Sequence, residues 1–385
     1  MPARFKIDRL GALLVAVGVL AIALLPFVVF KTNRIMPGDP RSLWDVLPTA
    51  PIWACLACVS VAAIAALMIA DARWRLAAAL LGIVAVAIAI AAAGDALTPA
   101  GNRVVRVAPG AGFWLLLIAL TLQATDAITR LRPGPAIRVL LLLLFAAVAG
   151  MTVSHGTFDH LSIMREYAVG AGRFAQEVRQ HVVLAFGSLG AAVLVALPTG
   201  ILCHRIPRLR NAILGVLNIV QTVPSIALFG ILMAPLGALA AAVPLAAAMG
   251  IRGIGTAPAV IALFLYSLLP IVANTVVGLK RVSPAAVEAA RGMGMTRWQI
   301  LRSIELALAL PVIITGIRIV LVQNIGMVTI AALIGAGGLG TFVFQGIGQT
   351  AIDLVLLGAI PTVALAFSAA VILDSLVEVL DRTRQ

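Results

Sequence analysis

Apolar runs about as long as one bilayer crossing alternate with short polar turns along nearly the whole chain. Taking roughly 20 apolar residues as one crossing, the spans fall near residues 10–30, 52–70, 76–93, 112–128, 137–154, 183–203, 212–234, 258–279, 308–333 and 352–377. The pattern predicts an all-α fold, a polytopic membrane protein of about ten transmembrane helices. The first run follows the basic stretch MPARFKIDR. It is too long for the core of a secretory signal and lacks a small-residue cleavage site, so it reads as a signal anchor.

The longest strongly polar interruption is His155–Gln180, which carries Asp159, Arg165, Glu166, Arg173, Glu177 and Arg179. It predicts three parts: a five-helix membrane extension over 1–154, a polar outer segment over 155–180, and a core over 181–385. The first five spans are Ala, Leu and Val with little polar content. The later ones hold Pro, Gly, Asn and Gln in their interiors, so function is expected there.

The second polar stretch, residues 283–305, has more local structure. Ser283 before Pro284 predicts a helix start, where a missing N–H costs nothing, and Gly292 and Gly294 predict its end. Thr296 with Gln299 three residues on predicts a capping box and a second helix. Ala286, Ala289, Ala290 and Met293 fall at i, i+3, i+4 and i+7, one small apolar face beside Glu288 and Arg291. The stretch reads as a helix-turn-helix built for docking.

Composition supports the membrane reading: 62% hydrophobic, 11% charged, with a mean hydropathy of +1.12 over 385 residues. The net charge of +13 lies in short loops between apolar runs, which argues against nucleic acid and for membrane sidedness. With the N-terminus inside, inner loops hold 18 Lys and Arg and outer loops 9. That bias places both termini and the 283–305 loop in the cytoplasm.

Little else carries chemistry. Cys55, Cys58 and Cys203 lie within or at the end of spans and read as packing residues, so no metal site is expected. His155, His160, His181 and His204 show no ligand spacing and read as ordinary loop residues. Only Lys6, Lys31 and Lys280 are available and none follows a glycine, so a Walker A phosphate cradle cannot form. GAGGLG at Gly335–Gly340 matches the dinucleotide pattern literally but has no βαβ unit around it, and reads as a flexible outer loop. No GxSxG nucleophile elbow is present, and no catalytic residue is expected.

Polar or helix-breaking residues at membrane depth line a cavity or glue helices together. Gln221, Pro224, Ser225, Pro270, Asn274, Gln323 and Asn324 fit either role. Arg318 is the one charge deep within a span. A bridge to Asp374 in the following span is the favoured expectation, with lining of the path as the alternative. Acidic groups inside spans are nearly missing, which argues against an ion-coupled secondary transporter and an intramembrane enzyme.

EAARGMG at Glu288–Gly294 resembles the EAAxxxG signature of permease subunits of type I ABC importers. QTVPSIALFG at Gln221–Gly230, LYSLLPIVANT at Leu265–Thr275 and LIGAGGLG at Leu333–Gly340 resemble the branch importing glycine betaine, choline and related osmoprotectants. These blocks cover roughly residues 185–380, and the long N-terminal half resembles the Yeh-type permeases in layout. The pattern's Leu-Pro becomes Leu306-Ala307 here, with Pro311 a turn later, which implies a shifted kink.

The resemblance implies a bacterial inner-membrane complex with a partner ATPase, a second permease subunit and an external or lipid-anchored solute-binding protein. ATP would be bound by the partner and no cofactor by this chain. It assigns Glu288, Ala289, Ala290, Gly292 and Gly294 to ATPase coupling. Gln221, Pro224, Ser225, Tyr266, Pro270, Asn274, Arg318 and Asn324 fall to the translocation path, and Gly335, Gly337, Gly338 and Gly340 to the outer loop. A methionine-type importer also carries an EAA loop and is the nearest alternative.

Overall fold

The computed structural model describes residues 8–34, 36–99, 101–102 and 104–382. Most of the basic N-terminal stretch, including Lys6, lies outside the described residues, as do the last three. The chain divides into two compact units, one of residues 1–134 with 143–169, the other of 135–142 with 170–385.

The first unit begins with α1 (Arg9–Leu24), capped by Asp8, whose carboxylate accepts from Leu10 N–H and Gly11 N–H. At 16 residues, about 24 Å long, it is shorter than the expected 10–30 span. Leu25 turns extended before Pro26, which has no N–H to continue the helix, and the chain becomes strand β1 (Val28–Lys31). Strands β2 (Asp39–Arg41) and β3 (Arg106–Pro109) flank β1 in an antiparallel sheet of order β2-β1-β3, with Val28 opposite both Arg41 and Pro109. Helical periodicity gave no sign of this small sheet, because strands of three and four residues are too short to set a pattern. Between the strands come α2 (Leu43–Val46), α3 (Thr49–Met68) and α4 (Ala72–Leu97), and after β3 comes α5 (Ala111–Leu131).

Small residues let these helices close: a Cβ on Gly112 would lie 2.7 Å from Ala21 O, and one on Gly11 2.4 Å from Ala66 O. Arg75, fully enclosed, donates to Asp8 at 2.7 Å and to Ala66 O at 2.9 Å, and Arg130 joins Asp8 to Asp126. The Arg75 hydrogen bond pulls the Asp8 carboxyl down to about 2.

α6 (Pro135–Ser154) is shared between the units, and α7 (Ser162–Val169) completes the first. Arg165 donates to Val105 O and Asn102 O at 2.8 and 2.9 Å, tying α7 to the approach to β3. The polar stretch 155–180 is therefore distributed. Its first part belongs to this unit and the remainder, from Gly170, opens the next helix.

The second unit is built on α8 (Ala171–Arg205), α9 (Pro207–Thr222), α10 (Ser225–Ala242), α11 (Pro244–Ala248) and α12 (Thr256–Lys280). There follow α13 (Pro284–Gly292), α14 (Arg297–Gln299), a π-helical turn (Ile300–Glu305), α15 (Leu306–Ala331), α16 (Gly340–Gly348) and α17 (Ile352–Arg382). α12 is central, with Leu263, Ile271 and Val272 fully buried against α8 and α15. Close approach again rests on small residues: a Cβ on Gly200 would strike Thr275, and one on Gly316 would strike Asn274.

Among the described residues nine helices are long and apolar enough to cross a membrane, and α1 is a shorter apolar one. The expected span 212–234 holds a break that the pattern did not mark as such. Pro224 supplies no N–H and its predecessor Val223 is extended (φ −67°, ψ 127°), so α9 and α10 are separate helices.

Candidate functional site

The helix-turn-helix of residues 284–299 forms as expected, and its corner has a definite geometry. Gly294 has φ +81°. Its N–H donates to Arg291 O (2.9 Å) and Met295 N–H to Ala290 O (3.1 Å), the paired bonds of a Schellman ending with glycine in the left-handed position. Nothing lies within 4 Å of where a Cβ on Gly294 would sit, so the requirement for glycine there is backbone conformation alone. Thr296 and Gln299 form the capping box. Ser283 occupies the N-cap position of α13, but its hydroxyl makes no capping bond.

The apolar face of α13 divides. Ala290 is fully buried, while Ala289 and Gly292 are exposed and Met293 is 73% exposed. Glu288 and Arg291 are both exposed, and among the described residues neither makes an ion pair. What the hairpin offers outward is Glu288, Ala289, Arg291, Met293 and, across the corner, Trp298.

Its root is held by a residue the sequence reading passed over. Glu305, at the end of the π turn, is buried and lies 2.5 Å from Arg205, the last residue of α8. At 3.6 residues per turn Glu305 falls opposite the exposed Thr296 and one turn after the buried Leu301, on the inward face. Pro311 lies within α15.

The residues assigned to the path take several places. Gln221 Nε2 donates to Tyr266 O at 2.9 Å and the Tyr266 hydroxyl donates to Val223 O, so this pair fastens the α9–α10 break onto α12. Asn324 is wholly buried and donates to Ser188 Oγ (3.1 Å) and Ser267 Oγ (3.0 Å), a polar knot joining α8, α12 and α15. Asn274 donates to Pro270 O at 2.8 Å within its own helix. Pro224 is exposed and Ser225 half-buried at the start of α10. Gln323 is half-buried, its amide near Met327 Sδ.

Arg318 and Asp374 are bridged, and Asp374 is shared. Arg138 donates to Asp374 Oδ2 at 3.0 Å and to Glu378 Oε2 at 2.6 Å. Arg138 belongs to the short part of α6 that packs with the second unit, a long-range contact that local pattern cannot reveal.

The glycine loop is held at several points. Gly335, Gly337 and Gly338 all have positive φ, and a Cβ on Gly340 would sit 2.0 Å from Thr329 O. Glu177 accepts from Gly338 N–H at 2.6 Å, and Gln180 donates to Ala336 O at 3.2 Å. His181 Nδ1 accepts from Leu339 N–H at 3.2 Å while Nε2 faces Ile325 O at 3.0 Å. His181 is therefore a buried tie within α8 and not the ordinary loop residue expected.

Residues 192–385 match the family model described as binding-protein-dependent transport system inner membrane component. Residues 8–164 match the N-terminal domain of the ABC transporter permease YehY. The osmoprotectant import permease protein OsmW of Salmonella typhimurium is 44% identical over 51% of this chain and 86% of its own length. The carnitine transport permease protein OpuCB of Listeria monocytogenes is 41% identical over 49% and 78%. The glycine betaine/carnitine/choline permease OpuCB of Bacillus subtilis is 35% identical over 55% and 88%. Among solved structures, a chain of the inward-facing MetNI methionine ABC transporter is 22% identical over 54% of this chain and 95% of its own, with a TM-score of 0.47.

Proposed function

Since the chain belongs to the binding-protein-dependent transport system inner membrane component family, we propose that it is the membrane subunit of an ATP-driven importer of osmoprotectants such as glycine betaine, carnitine or choline. The relatives with those substrates in their names support the solute class. Two such permeases, alike or homologous, would pair with two ATPase subunits and receive solute from an external binding protein, with both termini of this chain in the cytoplasm.

One observation carries the reading: a short hairpin stands exposed between α12 and α15, stopped at Gly294 and presenting Glu288, Ala289 and Met293 outward. A rigid hairpin of small and apolar residues, rooted through Glu305 on α8, passes a movement of a docked ATPase to the membrane helices. Glu288 serves this contact and does no acid-base work. Gln221, Tyr266 and Asn324 keep the helices in register while they move, Pro224 and Ser225 border the path, and Gly335–Gly340 closes the opposite side.

The test uses the complete transporter in proteoliposomes. Gly294→Asp meets a left-handed backbone penalty of about 1 kcal/mol and sets a carboxylate at the docking corner. Uptake of glycine betaine and solute-stimulated ATPase activity should each fall at least tenfold at normal membrane levels of the chain. Unchanged uptake would remove the corner from the mechanism, and wild-type transport of methionine but no betaine, carnitine or choline would replace the solute class.

A further inference from the structure

α9 presents three faces. Ile213, Leu214, Leu217 and Val220 pack on the core around α12. Val216 and Ile219 stand 61% and 67% exposed, an apolar strip suited to lipid. On the remaining side Asn211, Gly215, Asn218 and Thr222 follow one another at i, i+4, i+7 and i+11, a single line along the helix, and all four are exposed. The amides of Asn211 and Asn218 bond to no described residue, and the Thr222 hydroxyl turns back to Ile219 O at 2.7 Å.

The depth of this line follows from its anchor. Gln221 and Val223 are fastened to Tyr266, which lies in α12 about 15 Å from Thr256 and about 21 Å from Lys280 at 1.5 Å per residue. The α9–α10 break thus sits near the middle of a membrane-length helix, with Thr222 and Pro224 exposed beside it. Polar side chains and interrupted backbone at such depth are stable only against protein or water. At the break, the carbonyls of Gln221 and Thr222 accept from no described residue, and they form the electronegative end of α9. No charged residue intervenes between Arg210 and Arg252.

We infer that the Asn211–Thr222 line of α9 is a wall of the water-filled path, and that the open carbonyls at its broken end receive the quaternary ammonium head of the solute midway across. The second half of this inference rests on the osmoprotectant reading. A trimethylammonium group has no N–H to donate, so it gains from diffuse negative potential rather than from directed hydrogen bonds. An uncharged wall ending in carbonyl oxygens supplies that potential without the tight ion pair a carboxylate would make.

The experiment places single cysteines in a chain whose Cys55, Cys58 and Cys203 are replaced by alanine, within the complete transporter in lipid nanodiscs. The probe is a methanethiosulfonate reagent bearing a trimethylammonium group, compared with its sulfonate counterpart. Asn218→Cys and Thr222→Cys should react with the cationic probe at least tenfold faster than Val216→Cys on the lipid strip. Thr222→Cys should also favour cation over anion several-fold more than Val169→Cys, an exposed position outside the spans. Reaction as slow as at Val216 would overturn the wall, since lipid would then cover the line. Disulfide cross-linking between two copies with protection from the probe would overturn it too, by giving the face to a second subunit. Fast, cation-selective labelling in a transporter that imports no osmoprotectant would leave the wall standing and remove the solute class instead.

Discussion

Arg318 illustrates how far a single residue can be read. An unpaired guanidinium near a helix centre costs roughly 2.5 to 3.5 kcal/mol on insertion scales, so a partner had to exist, and Asp374 lay within reach in the next span. What could not be read was that Asp374 already serves Arg138, 236 residues away along the chain. The shared carboxylate changes the outcome of a charge exchange. Arg318→Asp with Asp374→Arg restores the first bridge but sets the new guanidinium against Arg138, so the double exchange should recover only part of the folded protein in the membrane. Adding Arg138→Gln should raise that recovery further, as measured by detergent-resistant monodisperse yield. Complete recovery by the double exchange alone would show that Arg138 contributes nothing to the pair.

At the scale of elements, the hairpin of residues 284–299 was legible because its signals are local: a proline at the start, a glycine at the left-handed position, and Thr296 three residues before Gln299. The span at 212–234 was legible as apolar length, yet its division into two helices turned on one proline whose effect depends on neighbours. The π turn was not legible, since Ile300–Glu305 has ordinary helical composition and its wide winding answers to packing. It leads from the hairpin into α15 and ends on the buried Glu305. Glu305→Gln keeps the shape but removes the charge that holds Arg205. That change should loosen the root of the hairpin, lowering coupled uptake several-fold while basal ATPase activity of the complex stays within twofold. Glu288→Gln, at an exposed site with no ion pair among the described residues, should be milder in the same assay. Equal loss for both would mean that the Arg205 contact does not transmit force.

For the whole molecule, the helical membrane architecture was legible from hydropathy because lipid forces every backbone polar group into internal bonds. The small sheet and the ionic knot of the first unit escaped notice because they are assembled from distant, short pieces. The knot has a measurable signature. The Asp8 carboxyl titrates lower in the folded chain, at about 2 against an ordinary 3.8. Its contribution to stability is therefore present above the unfolded value and is lost as pH falls through the folded one. The difference in melting temperature between wild type and Asp8→Asn should be constant above about pH 5 and shrink between roughly pH 4 and 2. A difference that grows on acidification would contradict the assignment.

The sharing of α6 between units bears on where this protein can be cut. The permease family model begins at residue 192, and a fragment started there is the natural choice for anyone wanting a minimal transporter. Such a fragment discards the guanidinium that straddles Asp374 and Glu378, together with the side chains of α8 that hold the glycine loop, Glu177, Gln180 and His181. The second unit takes in residues 135–142 as its own. That unit thus includes eight residues that arrive before a long excursion through the other unit, and no single scissor cut near residue 170 or 192 can deliver it whole.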